Sequence, residues 1–329
     1  MFAEASPLAR ATGDRSNPQE SPPYSRRVRM NDVVEGIVVE NHGALFDVLV
    51  GDAMLRCFLR GRLKKGKRTK VGLIASGDRV KVRPLDHGRG VVEDVLPRES
   101  DLSRKAAGAI PLQQTLAANV DQAVIVFAAA EPAPDFFMLD RFLVVTAVAD
   151  LDQTICVNKC DLARSDSLHD RFAAYERIGY RLLFTSAIAG EGLDELRALL
   201  VDKRSVICGP SGVGKSSLLN ALAPSLSLRV AEVGDVTHKG RHTTSSVTLV
   251  PLPFGGWVAD TPGLRQLAFW EVPPDLVAEA FPEFRRLLGR CRFEDCAHTS
   301  EPGCALQAAC DAGRIDRRRL RSYRQMVGR

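Results

Sequence analysis

Gly209-Pro210-Ser211-Gly212-Val213-Gly214-Lys215-Ser216 is the stretch whose reading decides the fold. It follows a short apolar run, Val206-Ile207-Cys208, and leads through Ser217 into Leu218, Leu219 and Leu222 at helical spacing. Strand, glycine-rich loop and helix in that order are the context a phosphate-binding loop needs. Glycines let successive N–H groups converge on phosphate oxygens, and the helix N-terminus adds a partial positive charge. Lys215 would neutralise the outer phosphates, and the Ser216 hydroxyl would ligate Mg²⁺. The alternative is a bare glycine turn, and the Lys-Ser ending with these flanks counts against it.

Upstream, the strand Gln153–Val157 ends in Asn158-Lys159-Cys160-Asp161. A carboxylate such as Asp161 accepts both the ring N–H and the exocyclic amine of guanine, a pair adenine does not present. An acceptor left unpaired by the wrong base costs a few kcal/mol, which is how such sites discriminate. Asn158 would tie the base to neighbouring loops, and the Lys159 stem would lie over its ring. Thr185-Ser186-Ala187 closes the next strand, so Ser186 and the Ala187 N–H join the candidate guanine site.

Downstream, Gly240-Arg241-His242-Thr243-Thr244-Ser245 reads as a switch loop in which Thr243 or Thr244 binds Mg²⁺ and the γ-phosphate. Strand Trp257–Ala259 then delivers Asp260-Thr261-Pro262-Gly263: Asp260 to hold Mg²⁺ through water, the Gly263 N–H to sense the γ-phosphate. In an ordinary GTPase the phosphate loop comes first and Asn-Lys-x-Asp late. Here the order is reversed, as a circular permutation would leave it without moving the strands.

Around these motifs, strands at Ala123–Ala128, Gln153–Val157, Arg181–Phe184, Ser205–Cys208, Val247–Val250 and Trp257–Ala259 alternate with helices near Met138–Val148, Leu168–Ile178, Leu193–Val201 and Lys215–Leu222, which predicts a parallel sheet covered on both faces. Before them, Gly36–Glu40, Phe46–Val50, Met54–Leu59, Asp78–Arg83 and Gly90–Val95 read as five short strands of a small closed barrel, such as an OB-fold. Residues 98–120 read as a linker or loop, and the Pro- and Ser-rich residues 1–30 as a basic arm unable to bury a core. The expected organisation is an arm (1–30), a barrel (31–97), a nucleotide domain (98–270) and a C-terminal domain (271–329).

That last domain carries Cys291-x4-Cys296-x-His298-x5-Cys304, three thiolates and an imidazole suited to a closed tetrahedral Zn²⁺ site. Cys57, Cys156, Cys160, Cys208 and Cys310 are assigned as buried structural thiols. The tail Ile315–Val327 places Leu320, Tyr323 and Val327 on one helical face, with Arg317, Arg318, Arg319, Arg321 and Arg324 largely elsewhere. A second basic run holds Arg60, Arg62, Lys64, Lys65, Lys67, Arg68 and Lys70 without an acid, on a chain whose formal charge is only +5. Concentrated cations on a near-balanced chain suggest a polyanion such as RNA. No apolar run is long enough for a bilayer and no signal sequence leads the chain, so a cytoplasmic protein with no membrane partner is expected.

Barrel, reversed motif order and Cys₃His set together resemble the ribosome small-subunit-dependent GTPases A (RsgA/YjeQ), over about residues 32–325. The resemblance implies an OB-fold, a circularly permuted α/β GTPase domain and a mainly helical zinc-binding C-terminal domain. It also implies GTP and GDP as substrate and product, Mg²⁺ and one structural Zn²⁺, and a monomer acting with the small ribosomal subunit and its rRNA in late maturation. Leu264 stands where many GTPases place a water-orienting glutamine, so His242 is the candidate to replace it; contact with loop backbone or RNA is the alternative. The rival to a GTPase switch is an RNA-binding module that nucleotide merely stabilises.

Overall fold

The computed structural model describes residues 32–61, 70–71, 74–105, 113–163, 165–224, 247–260 and 272–328. Strands β1 (Val34–Asn41), β2 (Leu45–Val50), β3 (Ala53–Leu59), β5 (Arg79–Pro84) and β6 (Arg89–Val95) form the barrel, with the two-residue β4 (Lys70–Val71) outside it. The order is β1-β2-β3-β6-β5, closed by β1 against β5, and only the β3–β6 pair is parallel. Alternate residues point inward, so Val38, Phe46, Val48, Val50, Leu55, Val80, Val82 and Val92 fill the interior. Cys57 joins them, and burial pushes its thiol up to about 12, as befits a structural thiol. This is the OB-like barrel that five short alternating strands predict.

Residues 98–120 are not a linker. They carry the hairpin β7 (Asp101–Lys105) and β8 (Gln113–Ala118), which with β4 makes a three-stranded sheet. Leu102, Leu116 and Ala117 enter the core of the neighbouring α/β sheet. The hairpin is held by long-range polar contacts rather than by a strand-like pattern. Arg98 grips the fully buried Asp78 through two bonds of 2.7 and 2.8 Å. Asn119 donates to the Gly77 carbonyl at 2.9 Å and accepts from the Glu99 N–H at 2.8 Å.

The central sheet runs β11 (Arg181–Phe184), β10 (Asp152–Asn158), β9 (Gln122–Ala128), β12 (Arg204–Cys208), β14 (Trp257–Asp260) and β13 (Thr248–Pro251). All neighbours are parallel except β13, which pairs antiparallel with β14 and touches β1 at Glu40 and Thr248. Barrel and central sheet are thereby one continuous sheet. Every residue of β9 is buried, and its side chains divide between the two faces. Ala123, Ile125 and Phe127 meet helices α1 (Phe136–Val148) and α2 (Ser165–Ile178). Val124, Val126 and Ala128 meet α3 (Leu193–Leu200) and α4 (Lys215–Leu222).

The C-terminal segment adds α5 (Pro274–Glu279), α6 (Ala305–Asp311) and α7 (Arg317–Val327) around Phe281, Phe284, Leu306, Leu320 and Tyr323. Phe281 and Phe284 stack at 4.7 Å, and Tyr323 meets both edge-on. One arginine departs from the outward-facing reading of the tail: Arg319 is buried. It lies on the same helical face as Tyr323, four residues on, and that face packs on α1, which contributes Val144 to this core.

Candidate nucleotide and metal sites

Parallel strands deliver their loops to one edge, and the motif residues gather there. Asn158 ends β10 with its side chain buried. Its amide donates to the Val213 carbonyl in the phosphate loop at 2.9 Å. Its Oδ1 accepts from the Ala187 N–H and from the Thr185 hydroxyl, both at 3.3 Å. One neutral side chain thus ties three loops together. Asp161, in the 3₁₀ turn Cys160–Leu162, accepts from the Ser186 hydroxyl at 2.5 Å, and that hydroxyl in turn accepts from the Ala189 N–H at 3.0 Å. Ser186 therefore holds the carboxylate that the guanine reading requires.

Lys159 adopts left-handed backbone, and its ammonium donates to the Glu131 carbonyl. That carbonyl escaped the sequence reading, although Glu131-Pro132-Ala133-Pro134 after β9 is a turn signal. Thr185 likewise matters beyond its place in the Thr-Ser-Ala string, because its hydroxyl reaches both Asn158 and Cys156.

The phosphate loop joins β12 to α4. Gly209 and Gly214 have φ of 141° and 90°. A Cβ on Gly209 would lie 2.1 Å from the Val126 carbonyl oxygen, and one on Gly214 2.3 Å from the Asn158 amide. Both positions need glycine on conformational and steric grounds. Gly212 shares the positive φ, Val213 is buried, and Pro210 and Ser211 lie in the loop between. Lys215 is the first residue of α4, and its ammonium donates to the carbonyls of Gly209 at 2.8 Å and Pro210 at 2.6 Å. Ser216 and Ser217 follow in the first helical turn, half-buried. Asp260 ends β14, paired through its backbone with Thr248. His242, Thr243, Thr244 and Gly263 lie outside the described residues, as do Leu264 and most of the basic run 60–70.

The backbone cradle, the lysine and the hydroxyl-bearing first turn fit a nucleoside polyphosphate. Behind the cradle, burial pushes the Cys208 and Cys156 thiols up to about 12, so both are inert packing groups.

At the far end of the chain the ligand atoms of Cys291, Cys296, His298 and Cys304 all lie within 4.8 Å of one another. The Cys291 and Cys304 sulfurs are 3.3 and 3.5 Å from His298 Nδ1, which is therefore the nitrogen facing the thiols. The Ala305 N–H donates to the Cys291 sulfur at 3.2 Å, a bond suited to a thiolate. His298 is buried and sits in left-handed backbone, φ 60°. Glu301 braces this loop by accepting from the N–H groups of Ala297, Thr299 and Ser300. Three sulfurs and one nitrogen at this closeness fit a closed tetrahedral zinc site.

The pattern of the RsgA GTPase family matches residues 95–270. The small ribosomal subunit biogenesis GTPase RsgA of Moorella thermoacetica is 43% identical over 294 residues, covering 88% of this chain and 95% of the relative. Its namesake in Gemmatimonas aurantiaca is 44% identical over 297 residues, covering 89% and 96%. Among solved structures, YjeQ from Thermotoga maritima superposes with a TM-score of 0.73 at 33% identity, covering 90% of this chain and 99% of that one. The circularly permuted GTPase YloQ gives 0.69 at 30% identity, covering 92% and 97%.

Proposed function

This chain belongs to the RsgA GTPase family, and from that premise we propose that it hydrolyses GTP to GDP and phosphate as a timed switch in late maturation of the small ribosomal subunit. The observation that carries the reading is Asn158, whose one side chain binds the guanine-reading loops to the phosphate loop. Asp161, steadied by Ser186, accepts the guanine ring N–H and amine, and the Lys159 stem covers the ring. Lys215 exchanges the Gly209 and Pro210 carbonyls for phosphate oxygens, while the loop N–H groups hold the rest of the chain of phosphates. Ser216, Asp260 and one of Thr243 and Thr244 would hold Mg²⁺, and the Gly263 N–H would read the γ-phosphate. Mg²⁺ would supply charge neutralisation for the phosphates.

Leu264 cannot orient water, so hydrolysis by the isolated chain is slow, on the order of 10⁻⁴–10⁻² s⁻¹. His242 supplies the missing polar group when the small subunit is bound. The barrel, its basic run and the arginine-rich tail contact rRNA, while zinc on Cys291, Cys296, His298 and Cys304 fixes the C-terminal domain. The protein works as a monomer in the cytoplasm. No described helix is long and apolar enough to cross a membrane.

The test is GTP turnover with small subunits, with large subunits, and with ATP in place of GTP. Strong stimulation by the small subunit alone supports the reading, and equal rates throughout overturn it. His242→Ala should abolish the stimulated rate and leave GTP binding intact; full stimulation of that variant would remove His242 from the mechanism.

A further inference from the structure

Between α2 and the C-terminal segment lies a cleft of about 660 Å³ that neither the nucleotide site nor the metal site uses. One wall is α2, with Ala174, Arg177 and Ile178. The other comprises Pro282, Glu283, Arg286 and the connection from α6 into α7. Four arginines line it: Arg177 from the GTPase side, and Arg286, Arg314 and Arg317 from the C-terminal side. All four are exposed, and none makes an ion pair with a described residue. Three carboxylates share these walls, each with a hydrogen-bond partner other than the four arginines. Glu283 binds Arg319, Asp316 caps α7 through the Arg318 N–H, and Asp311 accepts from Gln307.

Exposed like charges around one cleft repel only weakly, because solvent screens them, and a polyanion laid along the cleft would meet several of them at once. The chemistry of the cations narrows which anion. From 272 to 329 the chain has eleven arginines and no lysine. A guanidinium is a planar fork that grips phosphate oxygens in pairs, where an ammonium offers only a point charge. The cations are also split between two walls, so a ligand must be long enough to be held from both sides.

We propose that this seam grips the phosphodiester backbone of RNA, with Arg177 on one side and Arg314 and Arg317 on the other. The inference rests on the reading of this chain as a ribosomal-subunit factor and adds a contact to it. RNA in the seam touches the GTPase domain and the zinc-bearing domain at once, so it holds their mutual position in a way that neither surface alone does.

The experiment compares wild type with Arg177→Gln, with Arg314→Gln/Arg317→Gln and with the triple variant. Binding to small subunits and to a short single-stranded RNA is measured between about 50 and 200 mM salt, the range over which phosphate contacts weaken markedly. Each lost phosphate contact should make the slope of log affinity against log salt shallower by about 0.7. Arg177→Gln and the Arg314/Arg317 pair should be non-additive, because they hold one strand. GTP hydrolysis without subunits should not change, since none of the three lies in the nucleotide site. A triple variant with wild-type slope on both ligands overturns the seam while leaving the ribosomal reading intact. A wild type that binds RNA through these arginines but not small subunits upholds the seam and overturns the ribosomal reading. Competition by poly-glutamate as effective as that by RNA would make the seam a protein site and overturn the inference.

Discussion

Asn158 and Arg319 are equally buried, each with 1% of its surface exposed, and each joins parts of the chain far apart in sequence. They do so by different physics. Asn158 is neutral and its bonds run to backbone and hydroxyl groups within one nucleotide site. Arg319 carries a full charge into the interior between two domains. It meets Asp140 of α1 at 2.6 Å and Glu283 at 2.8 Å, and its guanidinium lies 4.3 Å from the centre of the Phe281 ring. Tyr175 adds a 2.8 Å bond to the same Asp140 oxygen. A neutral network fixes a binding geometry at little risk to the fold. A charged one fixes a domain junction and leaves two buried carboxylates exposed to the loss of a single partner.

The sharpest way to break this comparison is Arg319→Met. The substitution keeps the volume roughly but strands Asp140 and Glu283. Breaking one side of a buried ion pair in this way costs about 3–5 kcal/mol. Denaturant unfolding should show that loss, with the C-terminal segment released first. A triple variant that also carries Asp140→Leu and Glu283→Gln should recover much of it, because the whole ionic set contributes far less than its broken half. A loss below about 1 kcal/mol for the single variant would mean that water enters the junction and the two networks do not differ in kind.

Asn158→Ala is the next largest effect and falls on a different measurement. The Val213 carbonyl and the Ala187 N–H lose their partner, a deficit of about 1–3 kcal/mol. Because those groups position the phosphate loop and the guanine edge, the deficit should appear in nucleotide affinity, as a weakening of roughly 5–150-fold. Titration with a fluorescent GDP reads it. Unfolding of the nucleotide-free variant should move less than that of Arg319→Met. Weakened folding with unchanged GDP affinity would make Asn158 a scaffold residue only.

The two networks also differ in how visible they are in sequence. Asn158 belongs to Asn158-Lys159-Cys160-Asp161, and its partners sit in two other short strings, Thr185–Ala187 and Gly209–Ser216. A nucleotide constrains all three at once, so residue types and spacing carry the site. Arg319 stands in a run of three arginines, and nothing in its letter separates it from Arg318 or Arg317. The signal was present only as spacing, since it lies one turn before Tyr323 on the buried face of α7. Hydropathy places every arginine outward, and the carboxylates that draw this one in lie 36 and 179 residues away. The hairpin of residues 101–118 was missed for the same reason. Gln113-Gln114-Thr115-Leu116-Ala117-Ala118 does not alternate, and beside the burial of Leu116 and Ala117 its order comes from Arg98, which bonds Thr115 and seizes Asp78 twenty residues back. Motifs held by a shared ligand are legible; contacts held by a distant buried charge are not.

Glu301 supplies the control that separates burial from bonding. It too satisfies several backbone donors, but it does so on the open side of the metal loop, so its loss should be the smallest of the three. Its own N–H, with those of Ser300, Ala297 and Thr299, holds its carboxyl down at about 2. In the unfolded chain a glutamate titrates near 4.3, roughly two pH units higher. A folded value below the unfolded one means that the carboxylate favours the fold only while ionised. Its contribution is therefore full above about pH 4.3 and is lost as the pH falls from there towards 2. Glu301→Gln should lower the denaturation midpoint slightly at neutral pH. The gap from wild type should stay constant down to about pH 5 and narrow below it, a signature that metal loss, common to both proteins, does not produce. A gap independent of pH would assign the effect to the shape of the side chain, and a gap as large as that of Asn158→Ala would show that bond number, not burial, sets what each network is worth.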